Sequence, residues 1–402
     1  MAAYIKIPRR PMLKSIGIIC RRINIACKNY DVFWKMRRKE AVVSERFKSS
    51  VCSYHQKCLS GLPTVRHAST IPEITKGVVL SPEKLSQQEL ADLHENIRKE
   101  LNIESSDLDK VSQYYFDGKG KAFRPMVVTL VSKACNFHSS KLRDVLPSQL
   151  RIAAIAEMIH TASLMHDDVI DAADTRRSQS SINHMWGQKK AILAGDYVMA
   201  KASMALARIG NPEVVIILAQ VMEDLVKGEF MQLGSKENVN ERFSHYLTKT
   251  YKKTASLLAN SSKAVAILGQ CSEEVCNIAF EYGRNIGMAF QLVDDILDFT
   301  STDDALGKPT VADLKLGLAT APVLFAALKH PELNEMIMRR FKGEGDVEKA
   351  REAVLKSNSI EEAEYLAYQH SREAVLQIQR LDDSPERRSL EHLTQRLLNR
   401  KK

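Results

Sequence analysis

The chain has 402 residues, 44% of them hydrophobic, with only 12 prolines and 17 glycines. That length suits one large domain with an appendage, or two domains, and the scarcity of turn formers excludes a loop-rich β protein in favour of long helices. The net charge of +9 does not mark a nucleic-acid-binding body. Residues 1–76 hold 16 Lys/Arg against 4 Asp/Glu (+12), leaving 42 against 45 (−3) for the remainder.

The basic head reads as an address. No acid precedes Asp31, while Lys6, Arg9, Arg10, Lys14, Arg21, Arg22 and Lys28 recur among apolar residues such as Ile16, Ile18 and Ile19. An Arg-rich, acid-poor, amphipathic amino terminus is the pattern of a mitochondrial transit peptide, whereas a secretory signal needs a longer uninterrupted apolar run. Residues 1–76 are expected to be a transit peptide, cleaved near Arg66–Ser69, and a disordered linker, and residues 77–402 one helical domain. No apolar run approaches the roughly 20 residues of a membrane span. Of the seven cysteines, Cys20, Cys27, Cys52 and Cys58 lie in the head and Cys135, Cys271 and Cys276 in the body. None forms a CxxC pair, so the pattern indicates neither zinc nor a disulfide framework and fits a reducing compartment.

From Ser81 onward the pattern is helical. Ser81–Pro82–Glu83 supplies a cap, a first-turn proline and an early acid. Asp107 opens a segment ending in Tyr114, Tyr115 and Phe116. The break Asp117–Pro125 (DGKGKAFRP) follows, with Lys119, Lys121 and Arg124 beside two glycines and a helix-opening proline. Such a loop can cradle an anion, through its bases and the positive end of the helix dipole, although basic loops are more often simply solvated.

The next stretch, Glu157–Arg177 (EMIHTASLMHDDVIDAADTRR), carries the first acidic cluster. Read as a helix it places His160, Asp167 and Asp171 on one face, with Asp168 beside them and Arg176 and Arg177 at the end. Like charges one turn apart repel by a few tenths of a kcal/mol, so a cation between them is expected. A few hard oxygen ligands that can share a cation with phosphates suit Mg²⁺. A solvated acidic helix end is the plainer reading of a lone DDxxD. Ala191–Ala207 is nearly all small and apolar, so its Asp196 is either a paired core carboxylate or a site residue. Helices are also expected over Val214–Phe230 and Tyr246–Lys263, the latter bringing Lys252 and Lys253 next to Thr254.

Gly283–Phe299 (GRNIGMAFQLVDDILDF) repeats the acidic pattern. Gln291, Asp294 and Asp298 share a helical face, with Asp295 adjacent. Two DDxxD clusters, each late in an apolar helix, disfavour the solvated reading and suggest metal held between helices of a bundle. The polar loop after it presents Lys308 in Gly307–Lys308–Pro309, placed to close over phosphate. Further helices run from about Pro331, over 347–381, and from Ser384–Pro385–Glu386. No βαβ alternation and no P-loop signature is present, and no Ser or Cys nucleophile has an adjacent base.

Taken together, GKAFRP (120–125), the 157–177 stretch, KKT (252–254), GMAFQLVDDILDF (287–299) and LGKP (306–309) make the chain resemble the trans-isoprenyl diphosphate synthases, over about residues 85–400. The resemblance implies an all-α fold, an antiparallel helical bundle around a deep central cavity. It also implies head-to-tail addition of isopentenyl diphosphate to an allylic diphosphate. Carried onto this chain, Asp167, Asp168, Asp171, Asp294, Asp295 and Asp298 form the Mg²⁺ set. Arg176, Lys253, Thr254, Gln291 and Lys308 contact the allylic diphosphate; Lys121, Arg124, His160 and Arg177 bind isopentenyl diphosphate. Lys119 departs from the family's usual Gly-Gly-Lys. In this family the residues before the first aspartate wall off the tunnel for the growing chain. Ala162 and Ser163 are small, which implies a long product. With the basic head, this resembles the mitochondrial long-chain branch that makes the ubiquinone side chain, working as a dimer or higher oligomer or with a motif-degenerate second subunit. The rival readings are a terpene cyclase, which would carry a different second metal motif, and a non-catalytic partner subunit, whose aspartates would have eroded.

Overall fold

The structure, a computed structural model, describes residues 80–102, 107–117, 122–176, 179–234, 239–301 and 311–400. Ser81 accepts the Lys84 N–H and opens α1 (Pro82–Leu90), as its sequence signal requires. There follow α2 (Leu93–Leu101), α3 (Asp107–Gln113), α4 (Phe123–Ser140) and the long α5 (Pro147–Ile170). A two-residue hairpin, β1 (Thr175–Arg176) with β2 (Gln179–Ser180), interrupts the helices before α6 (Ile182–Trp186). Next come α7 (Gln188–Ala207), α8 (Pro212–Leu233) and α9 (Val239–Thr250), then a π turn over Tyr251–Ala255, α10 (Ser256–Leu268) and the 28-residue α11 (Glu273–Thr300). The remainder is α12 (Ala312–Lys315), α13 (Ala321–Lys329), α14 (Leu333–Met338), α15 (Asp346–Lys356), α16 (Ser359–Ile378) and α17 (Pro385–Leu398), the last capped by Ser384.

The all-α expectation holds. Core side chains come chiefly from α4, α5, α10 and α11, where Val127, Leu130, Ile155, Ile159, Leu258 and Ile286 are buried. Packing is closest between α5 and α7, α10 and α11, and α11 and α16. Gly283 and Gly287 set the α10–α11 approach. A Cβ at Gly283 would lie 2.5 Å from the Leu258 carbonyl oxygen, and one at Gly287 would lie 2.7 Å from Ala255 Cα. Two predicted helices are subdivided. The π turn divides Tyr246–Lys263, and Ser357–Asn358 separate α15 from α16 within 347–381.

Among the described residues no helix is long and apolar enough to cross a membrane. The expected transit segment, its cleavage point, and the expected phosphate-binding residues Lys121, Arg177 and Lys308 lie outside the described residues.

Candidate active site

Both acidic clusters sit at carboxyl ends of helices. Asp167 and Asp168 are in the last turn of α5, and Asp171 is its C-cap. Asp294, Asp295 and Asp298 are in the last two turns of α11. Carboxylates there face the negative end of the helix dipole, so each cluster favours a cation.

Asp167 and Asp294 line one cavity of about 1820 Å³. Arg124, His160, Ser163, Arg176, Lys253, Thr254 and Gln291 line it too, alongside an apolar wall of Leu164, Met199, Met222, Leu225 and Val226. The sequence-predicted site residues that are described therefore largely converge. Asp196, left open by sequence, is exposed at the cavity edge and pairs with His166 at 3.2 Å. Gly195 makes room for that imidazole, since a Cβ there would lie 2.4 Å from His166 Nε2.

The acids divide by role. Burial, then repulsion from Glu229 and Asp171, pushes the Asp167 carboxyl up to about 6 against the pull of Lys253. Burial raises Asp171 as well. Asp168, expected among the metal ligands, is turned away from the cavity. It is fully buried, accepting from Arg176 Nε at 2.8 Å, from Arg176 Nη2, and from the Tyr115 hydroxyl at 2.6 Å. One helical step rotates it about 100° from Asp167, into the protein. It pairs with Arg176, which the β1–β2 hairpin folds back onto α5.

The second cluster needs a similar correction. Asp295 is buried and accepts from Tyr246 Oη at 2.6 Å and Gln291 Nε2 at 2.9 Å. Asp298 is buried and accepts the Ala312 and Asp313 N–H groups at 3.3 Å, while its own carbonyl takes the Val311 N–H at 3.0 Å. These bonds anchor the start of α12 at Val311, a β-branched residue held at φ +52. Only Asp294 of the three lines the cavity, where Arg400 pairs with it at 2.8 Å. Among the described residues no group of three or more His, Cys, Asp or Glu is placed to hold a metal unaided.

The two lysines of KKT lie side by side in the π turn and point in different directions. Lys252 points to Asp224 at 2.5 Å, whereas Lys253 enters the cavity, 2.5 Å from Glu229 and 3.7 Å from Asp167. Burial disfavours the Lys253 ammonium, but Asp167 and Glu229 outweigh it and hold its pKa above the ordinary value. Thr254 donates to Gln291 at 2.8 Å, so the turn is tied to α11 and through it to Asp295. The sequence reading did not single out Glu229 or Tyr115 as site residues. Their signals were weak, an acid on a late helical turn and one tyrosine among three aromatics.

Ala162 is also corrected. It is buried in the core of α5 and does not line the cavity, whereas Ser163 does, with its hydroxyl donated to the His160 carbonyl at 2.8 Å. The two neighbours lie on different faces of the helix.

The family profile described as Polyprenyl synthetase matches residues 105–354. The human protein named All trans-polyprenyl-diphosphate synthase PDSS1 is 59% identical over 80% of this chain and 77% of its own. A rice protein named Solanesyl-diphosphate synthase 1, mitochondrial, is 42% identical over 80% of this chain and 79% of its own. A crystal structure of polyprenyl synthase from Caulobacter crescentus, complexed with calcium and isoprenyl diphosphate, superposes with a TM-score of 0.73 at 26% identity. It covers 82% of this chain and all of that one. With carboxylates, bases and an apolar wall lining one cavity in this fold, the chain belongs to the polyprenyl synthetase family and is a prenyltransferase.

Proposed function

We propose that the chain is a Mg²⁺-dependent long-chain all-trans-polyprenyl diphosphate synthase, repeatedly condensing isopentenyl diphosphate head-to-tail onto an allylic diphosphate to supply the ubiquinone side chain. The observation that carries this is the single cavity of about 1820 Å³ lined by Asp167, Asp294 and several bases at one part and by apolar side chains at another. It exceeds the roughly 300–1,000 Å³ of ordinary small-ligand pockets, as a long hydrocarbon product requires.

The carboxylates fit Mg²⁺. Asp167 and Asp171 are hard oxygen donors whose pKa values burial raises first and neighbouring carboxylates raise further, an environment in which a bound cation stabilises the ionised form. A site with few protein ligands suits an ion that completes its shell with water and substrate phosphates. Asp167, Asp171 and Asp294 would hold it. When bound, the ion neutralises the diphosphate and stabilises pyrophosphate as it leaves.

Arg176 and Lys253 bind the allylic diphosphate, and Arg124 and His160 the isopentenyl diphosphate. Asp168 and Tyr115 orient Arg176; Glu229 orients Lys253. The allylic C–O bond breaks, its electron pair leaving with pyrophosphate. The isopentenyl double bond attacks the resulting cation, and a proton is lost to pyrophosphate. The apolar wall receives the chain and keeps water from the cation. Outside the described residues, Lys121, Arg177 and Lys308 fill the phosphate-binding roles implied by their motifs.

The basic amino terminus and the rice relative named mitochondrial support action in the mitochondrion after cleavage near Arg66–Ser69, at the matrix or peripherally at the inner membrane. Apolar side chains exposed on α7 and α8 outside the cavity, with Leu193 at 61% and Ile216 at 50%, support a dimer or higher oligomer, including one with a second subunit. The test is incubation of the purified chain, alone and with a co-expressed partner, with labelled isopentenyl diphosphate, an allylic primer and Mg²⁺. A polyprenyl product above fifteen carbons is expected. A cyclic hydrocarbon, or no incorporation in any combination, would overturn the proposal.

A further inference from the structure

The end of α17 reaches the same cavity, with two arginines that the condensation does not use. Arg396 in its last turn and Arg400, just past its final residue Leu398, both line the cavity. The two stand about one helical turn apart, and each meets a carboxylate from another helix. Arg396 pairs with Glu83 of α1 through Nη1 at 2.9 Å, and Arg400 pairs with Asp294 of α11 through Nη1 at 2.8 Å.

The two pairs differ in what they hold. Glu83 and Arg396 form an ordinary rim pair, with side chains 54% and 49% exposed. Asp294 is the acid of the second cluster that lines the cavity, and its side chain and that of Arg400 are only 35% and 31% exposed. The Arg400 guanidinium also lies 5.4 Å from the centroid of the Phe290 ring, one turn before Asp294 on α11, within reach of a cation–π attraction. That ring packs on Phe123 at 5.1 Å and lines the cavity too. A carboxylate and a ring face therefore seat a guanidinium beside an acid that would otherwise be open to a metal.

We infer that Arg400 is a positioning residue that competes with Mg²⁺ for Asp294, so that this carboxylate excludes the free ion and accepts it together with an allylic diphosphate. The inference rests on the proposed role of Asp294 as a Mg²⁺ ligand. The charges of Asp294 and Arg400 cancel, so a free divalent ion arriving there meets a carboxylate already balanced and a like charge beside it. Binding then requires loss of the ion pair and of the contact with Phe290. A diphosphate changes the balance, because its negative charge accommodates both the metal and the displaced guanidinium. Arg400 lies beyond the last residue of α17, so its side chain reorients without unwinding the helix. Metal and diphosphate thereby reach the second acidic cluster as a unit.

The test is isothermal titration calorimetry of the full chain with Mg²⁺, first alone and then with saturating farnesyl diphosphate, an allylic diphosphate. Arg400→Gln should bind free Mg²⁺ roughly two- to fivefold more tightly than the natural protein, the range expected for a partly exposed ion pair. The gain should disappear with farnesyl diphosphate present, and also when Asp294→Asn is added to Arg400→Gln. Arg396→Gln removes the same charge one turn away but keeps the Asp294 contact, so its gain should be smaller. Equal free Mg²⁺ affinity in Arg400→Gln and the natural protein, a gain that survives Asp294→Asn or farnesyl diphosphate, or an equal gain in Arg396→Gln would each overturn the inference. Asp167→Asn separates this failure from that of the proposed function. Mg²⁺ binding that depends on Asp167 but ignores Arg400 overturns the inference alone, whereas no Mg²⁺ binding in any form, with or without farnesyl diphosphate, overturns both.

Discussion

The guanidinium of Arg176 is bound to the fully buried carboxylate of Asp168, through Nε at 2.8 Å and through Nη2. The pair accounts for the middle one of three close aspartates, which lies outside the cavity that Asp167 lines. The middle one fixes a cation that faces substrate, and Tyr115, itself tied to the Ile182 N–H at 3.1 Å, fixes the middle one.

Asp168→Asn should accordingly act on substrate rather than metal. It keeps the shape but removes the charge that holds Arg176, a loss of about 1.5–3 kcal/mol for a charge-assisted bond, or roughly ten- to a hundredfold. The expected result is a raised KM for the allylic diphosphate with a nearly unchanged Mg²⁺ requirement. Asp171→Asn should do the reverse. Steady-state kinetics over a grid of Mg²⁺ and primer concentrations separates the two, and a Mg²⁺ shift in Asp168→Asn would return that residue to the metal shell.

Asp167 makes stability depend on pH in a defined direction. Its folded pKa of about 6 lies above the ordinary 3.8, so between those values the folded protein holds a proton that the unfolded chain has lost. This group's contribution to stability is present in full below about pH 4 and is lost as pH rises through 6. Metal-free Asp167→Asn should therefore gain in melting temperature relative to the natural protein across that window. Parallel melting curves would refute the shift. Mg²⁺ needs the ionised carboxylate, so at limiting Mg²⁺ activity should fall as pH drops below about 6, and added Mg²⁺ should move that acid limb to lower pH. Glu229→Gln removes one source of repulsion and should move that acid limb to lower pH.

Product length separates the neighbours Ser163 and Ala162. Ser163 lines the cavity, so Ser163→Phe should shorten the polyprenyl product, read by reverse-phase chromatography of the dephosphorylated alcohols. Ala162 is enclosed in the core, and Ala162→Phe should chiefly lower stability, by about 1–3 kcal/mol for overpacking. A shortened product from Ala162→Phe at unchanged stability would show that its side chain has access to the tunnel.

The helices and the two acidic clusters were legible because helical periodicity and capping are local signals. Ser81 and Ser384 cap as their neighbours imply, and Asp167 shares a cavity with Gln291 although 124 residues separate them in the sequence. What sequence could not resolve was which member of each DDxxD faces inward. Asp168, Asp295 and Asp298 differ from their neighbours only by rotation about a helix axis and by partners distant in sequence, such as Tyr115 and Tyr246. Nor did the sequence show the π turn or which of its two adjacent lysines enters the cavity, because Lys252 and Lys253 are set apart by partners distant in sequence, Asp224 and Glu229.

The contact between α10 and α11 supports the sharpest stability prediction. In an exposed helix, Gly→Ala is favourable by up to about 1 kcal/mol, because alanine has the higher helix propensity. At Gly283 the sign should reverse. A Cβ there would meet the Leu258 carbonyl oxygen at 2.5 Å and Ala259 Cα at 2.8 Å, and these are backbone atoms of a buried helix that no rotamer change can move. The helices must separate, which would also pull Thr254 from Gln291 across the same seam. Gly283→Ala should therefore lower the urea midpoint by the equivalent of about 1–3 kcal/mol, as overpacking does elsewhere. Gly195→Ala should have a smaller effect on stability, since the clash there is with the tip of the His166 side chain, which can swing away. Equal midpoints for Gly283→Ala and the natural protein would mean that the seam yields, and that the Thr254–Gln291 bond does not depend on its closeness.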